Sequence, residues 1–329
     1  MKVLFVYYNP HRIHESWANS VTSEHYPFVW KWLFNFRATL KPGVKGIASK
    51  ITAKLPFIIY PLSILRGLFL PKADVYLVES LSCVPAVYFR KGKVIMINDD
   101  IVFYLLQEKK GLYNLFMRFF LKRVDAIISS SQLVHNYAKK FTKVPNKVVY
   151  PFVDTKKYTK KSNVKSKNLC FTGMIEKQKR PDLIIEALNQ VGEGKLYFIG
   201  KQGNFKVPKQ ENIIVTGWTS SPENYLQKCG VYINPAEREA FGMAVMEAMI
   251  MGIPTLVSDR CGIAEIVKKI DKRLIIELNS ENIAQKIKWL NSNLKEKQKI
   301  SKKCIQIAKQ YTEKKSQQNF RNTFMELTK

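Results

Sequence analysis

Short apolar runs alternate with longer helix-like stretches along the whole chain, and this alternation restricts the fold more than any other feature of the sequence. Most runs are rich in Val, Ile, Leu and Tyr without a clean apolar–polar alternation, which is typical of parallel strands covered on both faces. Strand–helix–strand repetition requires right-handed crossovers and therefore predicts an α/β fold with doubly wound sheets. The candidate strands are Lys2–Tyr8, Asp74–Glu79, Lys93–Asn98, Asp125–Ser130, Lys147–Tyr150, Asn168–Thr172, Leu196–Gly200, Asn212–Thr216, Val231–Asn234, Thr255–Ser258 and Arg273–Glu277. The candidate helices include Leu112–Arg123, Ser131–Phe141, Pro181–Asn189 and Ser221–Lys228.

The strand–helix pattern runs twice, and 329 residues are enough for about two domains, so we expect two Rossmann-like domains. We place the break at Pro151–Asp154, where a proline ends a strand and the basic polar stretch Thr155–Lys167 follows. The first domain is then expected at residues 1–150 and the second at residues 151–310. Residues 311–329 have a helical pattern and close the chain.

The charge of the chain is strongly positive. It carries 54 Lys and Arg against 26 Asp and Glu, a net charge of +28. Such a surface attracts nucleic acid, anionic lipid or phosphorylated small molecules. A Lys-rich composition shared by a whole proteome is the competing explanation. No apolar run reaches the roughly 18 residues that a membrane-spanning helix needs, so we expect no such helix.

The cysteines argue for a reducing compartment. The chain has five of them, an odd number, far apart and without a Cys-x-x-Cys pair. We therefore expect free thiols in the cytoplasm and no zinc site. The residues are Cys83, Cys170, Cys229, Cys261 and Cys304.

One segment of the first domain interrupts the crossover pattern. The mostly apolar run Leu55–Leu65 spans 11 residues and is broken by Pro56 and Pro61. A run of this length is too short to cross a bilayer but suits an element that lies on anionic lipid. The alternative is a buried helix with a solvated basic edge. The flanking cations are Lys45, Lys50, Lys54 and Arg66.

The stretch Asn234–Pro254 is the most informative for chemistry. A strand ends at its start, a loop follows, and a helix is predicted from near Gly242 to Gly252. Glu239 on the loop and Glu247 in the second helical turn then border one cleft. An anion is favoured at the helix start, because the first N–H groups have no partner in the helix. These groups belong to Phe241, Gly242 and Met243.

Carboxylates beside an anion site suit a ligand that has both hydroxyls and phosphates, such as a nucleotide-sugar. The carboxylates accept hydrogen bonds from sugar hydroxyls, and the helix start holds the diphosphate. The alternative is an ordinary amphipathic helix with two surface glutamates.

The string that carries Glu239 and Glu247 resembles the signature of family-four retaining glycosyltransferases. It has Phe241-Gly242 after the first glutamate and Ala248-Met249 followed by Gly252-x-Pro254 after the second. The resemblance implies the GT-B architecture, in which two Rossmann-like domains face a central cleft that holds the active site. It further implies transfer of a hexose-type sugar with retention of configuration. The resemblance also implies that the reaction requires no metal. No cofactor is expected, because the nucleotide-sugar is a co-substrate.

The resemblance extends over most of the chain. The closing helix expected over Tyr311–Leu327, within residues 311–329, is similar to one that returns to the first domain in the family. Gly173–Ala187 is similar to the first strand–loop–helix of the family's donor domain, where the basic residue, here Lys179, contacts the diphosphate. Thr216-Gly217-Trp218 is similar to the loop near the nucleobase, and Cys261–Val267 to a glycine-containing loop before a helix. The resemblance assigns catalysis to Glu239, which holds the sugar, and to Lys179. It assigns the ribose to Glu247.

The sequence departs from the family at three places. Met174 stands where the family has an arginine after Gly173, and Lys177 or Arg180 are candidates to compensate. The loop after the first strand, residues 9–14, has no glycine. Asn98-Asp99-Asp100 stands where a histidine commonly lies near the transferred sugar.

Other polar residues are assigned to the acceptor or sugar side. We expect His11 and His14 to line the cleft or contact acceptor phosphate, because no acidic or cysteine cluster supports a metal site. Asp99 and Asp100 are expected to contact sugar, with a capping role for one of them as the alternative. Trp218 either stacks on a base or packs, and packing is preferred. Alternate aromatics over Tyr26–Phe36 follow the period of a strand, which indicates core residues rather than a nucleic-acid platform.

The sequence therefore predicts a glycosyltransferase with a nucleotide-sugar donor and a lipid-linked or other glycan acceptor. The basic first domain and Leu55–Leu65 favour a cytoplasmic protein in peripheral contact with anionic lipid at the inner face of the cell membrane. A soluble acceptor is the alternative within this class. A non-catalytic basic protein that binds nucleic acid or scaffolds a complex is the alternative outside it, although no nucleic-acid motif supports it.

Overall fold

The computed structural model describes residues 1–7, 11–27, 63–65, 67–108 and 111–329. The chain folds into two compact units. Unit 1 comprises Met1–Tyr150 together with Ser316–Lys329, and unit 2 comprises Pro151–Lys315.

Unit 1 is built on a sheet of six parallel strands. These are β1 (Val3–Tyr7), β2 (His25–Pro27), β3 (Val75–Val78), β4 (Lys93–Asn98), β5 (Ala126–Ser129) and β6 (Asn146–Val148). Their order across the sheet is β2-β1-β3-β4-β5-β6. The central strands β3 and β5 are buried at every residue, so both faces of the sheet are covered, and the apolar runs are continuous for that reason.

The helices of unit 1 follow the strands as crossovers. They are α1 (Arg12–Asn19), α2 (Val84–Val87), α3 (Val102–Glu108), α4 (Leu112–Leu121) and α5 (Gln132–Lys139). A 3-10 turn at Leu81–Cys83 precedes α2. Side chains from β3, β4, α2, α3 and α4 form one continuous apolar core with the sheet.

Unit 2 repeats the plan with six further parallel strands. These are β7 (Leu169–Thr172), β8 (Leu196–Ile199), β9 (Ile213–Val215), β10 (Val231–Asn234), β11 (Thr255–Ser258) and β12 (Ile275–Ile276). Their order is β12-β11-β10-β7-β8-β9. The helices are α6 (Pro181–Val191), α7 (Glu223–Leu226), α8 (Met243–Ile250), α9 (Ala264–Ile270), α10 (Ser280–Ser292) and α11 (Leu294–Ala308). Short 3-10 turns lie at Lys177–Lys179 and Lys272–Leu274.

The last helix, α12 (Glu313–Thr328), packs within unit 1 from Ser316 onward. The ring of Phe320 stacks on Trp17 of α1, with a centroid distance of 5.1 Å. The Trp17 indole N–H donates to the hydroxyl of Ser316 at 2.8 Å, and that hydroxyl donates to the carbonyl of Tyr150 at 2.7 Å.

All eleven predicted strands are present. Elements of unit 1 that were not among the named candidates include strand β2 and helices α1, α2 and α3. For α1, the sequence predicts a loop over residues 9–14, but a helix begins at Arg12, so that prediction is wrong for residues 12–14. The helix is only 8 residues long, and its N-cap is His11 rather than a Ser, Thr, Asp or Asn.

Two predictions concern residues outside the described part of the chain. Except for residues 63–65, the element Leu55–Leu65 lies there, as do its flanking cations. The aromatic alternation over Tyr26–Phe36 lies there from residue 28 onward, and its first residue, Tyr26, is in β2. Among the described residues, no helix has both the length and the apolar character to cross a membrane.

Candidate active site

The loops after β7 and β10 meet at one edge of the unit 2 sheet, because the two strands are parallel neighbours. Gly173 ends β7 with a φ of +132°, a conformation that glycine adopts readily. The 3-10 turn Lys177–Lys179 follows, and the carbonyl of Gln178 accepts a hydrogen bond from the N–H of Glu237 at 2.9 Å. The two loops are therefore joined directly.

An ion pair lies between these loops. The Lys179 ammonium is 2.9 Å from a carboxylate oxygen of Glu239, and the two side chains are 21% and 22% exposed. A Cβ added to Gly173 would lie 3.7 Å from the same ammonium. The structure thus brings together Gly173, Lys179 and Glu239, and both partners of the pair remain accessible to a ligand.

The Glu239 loop is fixed by the loop after β11. The carbonyl of Glu239 accepts from the N–H of Gly262 at 3.0 Å, and the carbonyl of Phe241 accepts from Ile263 at 2.7 Å. Gly242 has a φ of +107°, and a Cβ there would lie 3.1 Å from Ile263 and 3.6 Å from Glu239. A side chain at Gly242 would therefore press on Ile263 and strain the backbone of the loop that carries Glu239, while its contact with Glu239 itself would be an ordinary one.

Helix α8 begins at Met243, directly after this loop. The first N–H groups of a helix have no intrahelical acceptor, and the helix dipole adds positive potential at that end. Glu247 lies in the second turn of α8, whereas Glu239 lies on the loop before it. The predicted placement of the two glutamates on loop and helix is confirmed.

Glu247 has an unusual environment. Burial raises the pKa of its carboxyl to about 7, against a hydrogen bond from Tyr158 and the charge of Lys157, which lower it. Asp154 and Glu223 add further negative charge and raise the pKa. Near neutral pH this carboxyl is therefore only partly ionised in the unliganded protein.

The tyrosine beside Glu247 escaped the sequence analysis. Tyr158 is only 5% exposed and lies in the basic stretch that follows the predicted domain break. A single aromatic residue among many lysines gives no periodic signal.

Tyr232 also escaped the sequence analysis, and it lies near both glutamates. Its ring is buried on β10, and its hydroxyl is 3.3 Å from the N–H and 3.4 Å from the carbonyl of Thr172. Burial raises its pKa, and the charges of Glu239 and Glu247 raise it further. The pKa of Tyr232 therefore responds to the charge of both glutamates.

Arg180 lies close to this site but is already engaged. Its guanidinium binds both carboxylate oxygens of Asp182, at 2.7–3.1 Å, and reaches Glu237 at 3.3 Å. Its backbone is left-handed, with a φ of 49°. Binding of a diphosphate by Arg180 would have to compete with these two carboxylates.

Three other predicted positions are more open. The side chain of Met174 is 52% exposed, and that of Trp218 is 67% exposed. The preferred interpretation that Trp218 packs is therefore wrong. Gly217 has a φ of +69°, and no atom lies within 4 Å of the position of its absent Cβ among the described residues.

Unit 1 has its own cluster of titratable groups at the carboxyl edge of its sheet. The ring nitrogens of His14 lie 3.3 Å from a carboxylate oxygen of Glu79 and 3.1 Å from one of Asp99. Burial opposes charge on the imidazole, but the hydrogen bonds to Asp99 and Glu79 outweigh it and raise the pKa of His14 to about 9. His14 is thus a buried cation between two carboxylates, and a phosphate would have to displace one of them.

Two residues beside this cluster, Asp100 and His11, accept hydrogen bonds from backbone N–H groups at the starts of helices α3 and α1. Asp100 accepts a hydrogen bond from the N–H of Val102 at 2.9 Å, so it takes the capping role that the sequence left open. Burial raises the pKa of Asp100 to about 6. His11 accepts from the N–H of Ile13 at 3.4 Å and caps α1.

No group of three or more metal-ligating side chains occurs within the described ranges. The five cysteines are buried and carry free thiols.

The fold defines the class of protein. The fold matches the crystal structure of Anabaena HepE in complex with UDP, with a TM-score of 0.75 and 15% identity. The match covers 99% of this chain and 100% of the HepE chain. A complex of HepE with UDP-glucose matches with a TM-score of 0.74 and 16% identity, over 99% of this chain and 100% of that one. A glycosyltransferase from Rickettsia africae matches with a TM-score of 0.64 and 14% identity, over 100% and 99% of the two chains. The fold is that of the GT-B glycosyltransferases.

The sequence of unit 2 matches a family profile. Residues 153–310, just under half of the chain, match the family Glycosyl transferases group 1.

Two curated relatives match parts of the chain. A 41.2 kDa protein of the Klebsiella pneumoniae cps region is 26% identical over 48% of this chain and 49% of its own length. The poly(glycerol-phosphate) alpha-glucosyltransferase of Bacillus subtilis is 25% identical over 61% of this chain and 31% of its own length. The chain thus spans about half of the first relative and about a third of the second.

Proposed function

We propose that the protein is a glycosyltransferase that moves a hexose-type sugar from a nucleoside diphosphate sugar to an acceptor. The Lys179–Glu239 pair at the start of α8 carries this proposal. A cation, a carboxylate and a helix start at one sheet edge match the phosphates and hydroxyls of such a donor.

Lys179 and the N–H groups at the start of α8 act on the leaving diphosphate. Transfer breaks the bond between the anomeric carbon and the phosphate oxygen and forms a bond to an acceptor oxygen, whose proton is released. Negative charge then develops on the nucleoside diphosphate. Fixed positive potential at that place lowers the barrier, and preorganised electrostatics of this kind often accounts for more of the rate enhancement than any other effect.

The two glutamates recognise hydroxyls. Glu239 holds the sugar that is transferred, and Glu247 holds the ribose, with Tyr158 fixing the Glu247 carboxylate. Retention of the anomeric configuration follows from the resemblance of the Glu239–Glu247 string to family-four enzymes. The proposed reaction uses neither a metal nor a cofactor.

The donor and acceptor are proposed from the relatives. HepE is seen with UDP and UDP-glucose, so UDP-glucose is the first donor to test. The Bacillus subtilis relative is named for poly(glycerol phosphate). We propose a lipid-linked or other glycan acceptor on the side of His11, His14, Asp99 and Asp100, at the inner face of the cell membrane.

A thermal-shift titration with UDP-, GDP- and ADP-glucose tests the donor assignment. One donor is expected to stabilise the wild type and to bind Glu247→Ala about 10- to 100-fold more weakly, since a charge-assisted hydrogen bond contributes roughly 1.5–3 kcal/mol. Glu211→Ala, a change at an exposed glutamate of the same unit, is the matched control. Equal binding by wild type and Glu247→Ala would overturn the assignment. Adding EDTA tests the independence from metal.

A further inference from the structure

Large apolar side chains are exposed on one part of unit 1. Two short stretches and helix α4 supply them, at exposures of 47–82%, and Phe69 is the most exposed of all. We call this set the apolar face. Its members are Leu65, Leu68, Phe69, Phe89, Leu115 and Phe119.

The apolar face is assembled around helix α2. Gly67 lies against the carbonyl of Ala86 so closely that a Cβ would come within 1.9 Å of it, which places the Leu65–Phe69 stretch beside α2. Directly after α2, the ring of Tyr88 stacks on Phe119 at 5.0 Å and meets the edge of Phe89 at 5.2 Å. Leu115 is one helical turn from Phe119, on the same side of α4.

The apolar face adjoins the core of unit 1. Gly67 and Tyr88 connect it to the buried residues Ala86 and Val87 on α2, and Phe120 packs edge-on against Tyr88. The stretches that carry the exposed side chains therefore pack against buried residues.

The charge around the apolar face is mostly positive. The three stretches that carry it, residues 63–72, 84–93 and 111–123, contain eight Lys and Arg and no Asp or Glu. Lys72, Lys91 and Lys122 are exposed. The exposed carboxylates beside these stretches are Asp74 and Asp125, and Asp125 pairs with Arg123 at 2.9 Å. Exposed apolar residues within a mostly cationic rim differ from an ordinary polar surface.

We propose that the apolar face docks unit 1 onto an anionic lipid surface. The apolar side chains enter the boundary between headgroups and acyl chains, while the lysines bind anionic headgroups. Membrane contact of this kind needs no spanning helix. A second copy of the chain fits less well, because a twofold contact would bring two cationic rims together.

This inference deepens the proposed function, since a lipid-linked acceptor would be met at the same surface. It rests on different residues from the donor site, so the two proposals can fail separately. Donor binding is measured without lipid, and lipid binding is measured without donor.

Co-sedimentation with vesicles tests the proposal. The full chain is expected to sediment with phosphatidylcholine vesicles that contain 30–40% phosphatidylglycerol, on the order of the anionic content that polybasic surfaces need, and not with pure phosphatidylcholine. A triple change, Leu68→Ser, Phe69→Ser and Phe89→Ser, is expected to weaken binding at least tenfold, since each buried apolar side chain contributes about that factor. Changing Lys72, Lys91 and Lys122 to Glu is expected to abolish binding at low salt.

Matched control variants distinguish lipid binding by the apolar face from non-specific hydrophobic adsorption and from attraction by the overall charge. Met325→Ser and Leu294→Ser remove exposed apolar side chains elsewhere, and Lys295, Lys299 and Lys302 changed to Glu invert exposed lysines of α11. These controls are expected to bind like the wild type. Thermal unfolding of every variant checks that it is folded.

Three results would overturn the proposal. One is no sedimentation of the wild type with anionic vesicles at low salt. Another is equal binding by the apolar-face variants and the controls. The third is a wild-type dimer in solution that becomes monomeric in the apolar-face variants, which would make the face a contact between two copies.

Discussion

Glu247 is the residue at which the electrostatics of the site can be read most directly. Its pKa is raised to about 7 because burial disfavours the carboxylate, so folding is less favourable in its ionised form. The contribution to stability is therefore lost as pH rises from about 4.5 through 7. His14 changes in the same direction but in a different pH range, because its carboxylate partners hold the proton. Its contribution to stability is complete below about 6.5 and is lost as pH rises through about 9.

Donor binding is expected to depend on the ionisation of Glu247. Ribose hydroxyls donate a stronger hydrogen bond to the carboxylate than to the carboxylic acid, so affinity should increase as pH rises through 7. With a pKa of about 7, the dissociation constant is expected to fall by up to about tenfold between pH 6 and pH 8. Isothermal titration calorimetry measures this slope and the proton released on binding.

The matched variant for this experiment is Glu247→Gln, which keeps the size of the side chain and removes the titration. It should bind more weakly and show a flatter pH dependence. A wild-type affinity that does not change between pH 6 and pH 8 would contradict the assignment of Glu247 to the ribose.

At the scale of elements, Gly242 joins the Glu239 loop to helix α8. Its φ of +107° disfavours any other residue, and a Cβ would press on Ile263 at 3.1 Å. Gly242→Ala is expected to destabilise the protein by about 1–3 kcal/mol and to weaken donor binding, because the strained backbone carries both Glu239 and the start of α8. Thermal unfolding and donor titration measure the two effects.

A second glycine separates backbone strain from contact. Gly192 ends helix α6 with a φ of +76°, and nothing described lies within 4 Å of its absent Cβ. Gly192→Ala should therefore show the strain alone and leave donor binding unchanged. Equal effects of the two substitutions on donor binding would show that Gly242 does not position Glu239.

Some elements could be predicted from the sequence alone. Strands β4, β10 and β11 were predicted with their observed bounds, because parallel strands that are buried on both faces consist of nearly continuous apolar residues. The loop–helix arrangement of Glu239 and Glu247 was predicted because Gly242, Gly252 and Pro254 mark its ends. Helix α1 is as short as α5, which was predicted, but its N-cap is His11, whereas α5 begins after the usual capping residue Ser131.

The remaining site residues depend on contacts distant in sequence. Glu79 and Asp99 are 65 and 85 positions from His14, and no local pattern joins them. The engagement of Arg180 by Glu237 likewise crosses 57 positions. Residue types that are common in loops acquire a role only when the sheet brings their strand ends together.

At the scale of the whole molecule, charge is unevenly distributed. The chain has a net charge of +28, yet the carboxyl edge of unit 1 gathers Glu79, Asp99 and Asp100 around a single cation, His14. The cationic surplus lies instead on the surface, including the rim of the apolar face. Long-range attraction to anionic surfaces and recognition of hydroxyls are thus assigned to different parts of one unit.

The chain leaves unit 1 at Tyr150 and returns to it at Ser316, so the stability of unit 1 depends on the last helix. Phe320 and Phe324 are fully buried there, and Gln317 donates to the carbonyl and hydroxyl of Ser16 at 3.2 and 3.0 Å.

Phe320→Ala is expected to destabilise unit 1 by about 3–5 kcal/mol, the usual effect of removing a buried ring. Hydrogen exchange should then show faster exchange in β1 and β3 and unchanged exchange in β7 and β10. The control is Met325→Ser, at a position 46% exposed on the same helix, which should change the exchange of none of these four strands. An equal acceleration in both units after Phe320→Ala would contradict the prediction, because it would mean that the two units unfold together.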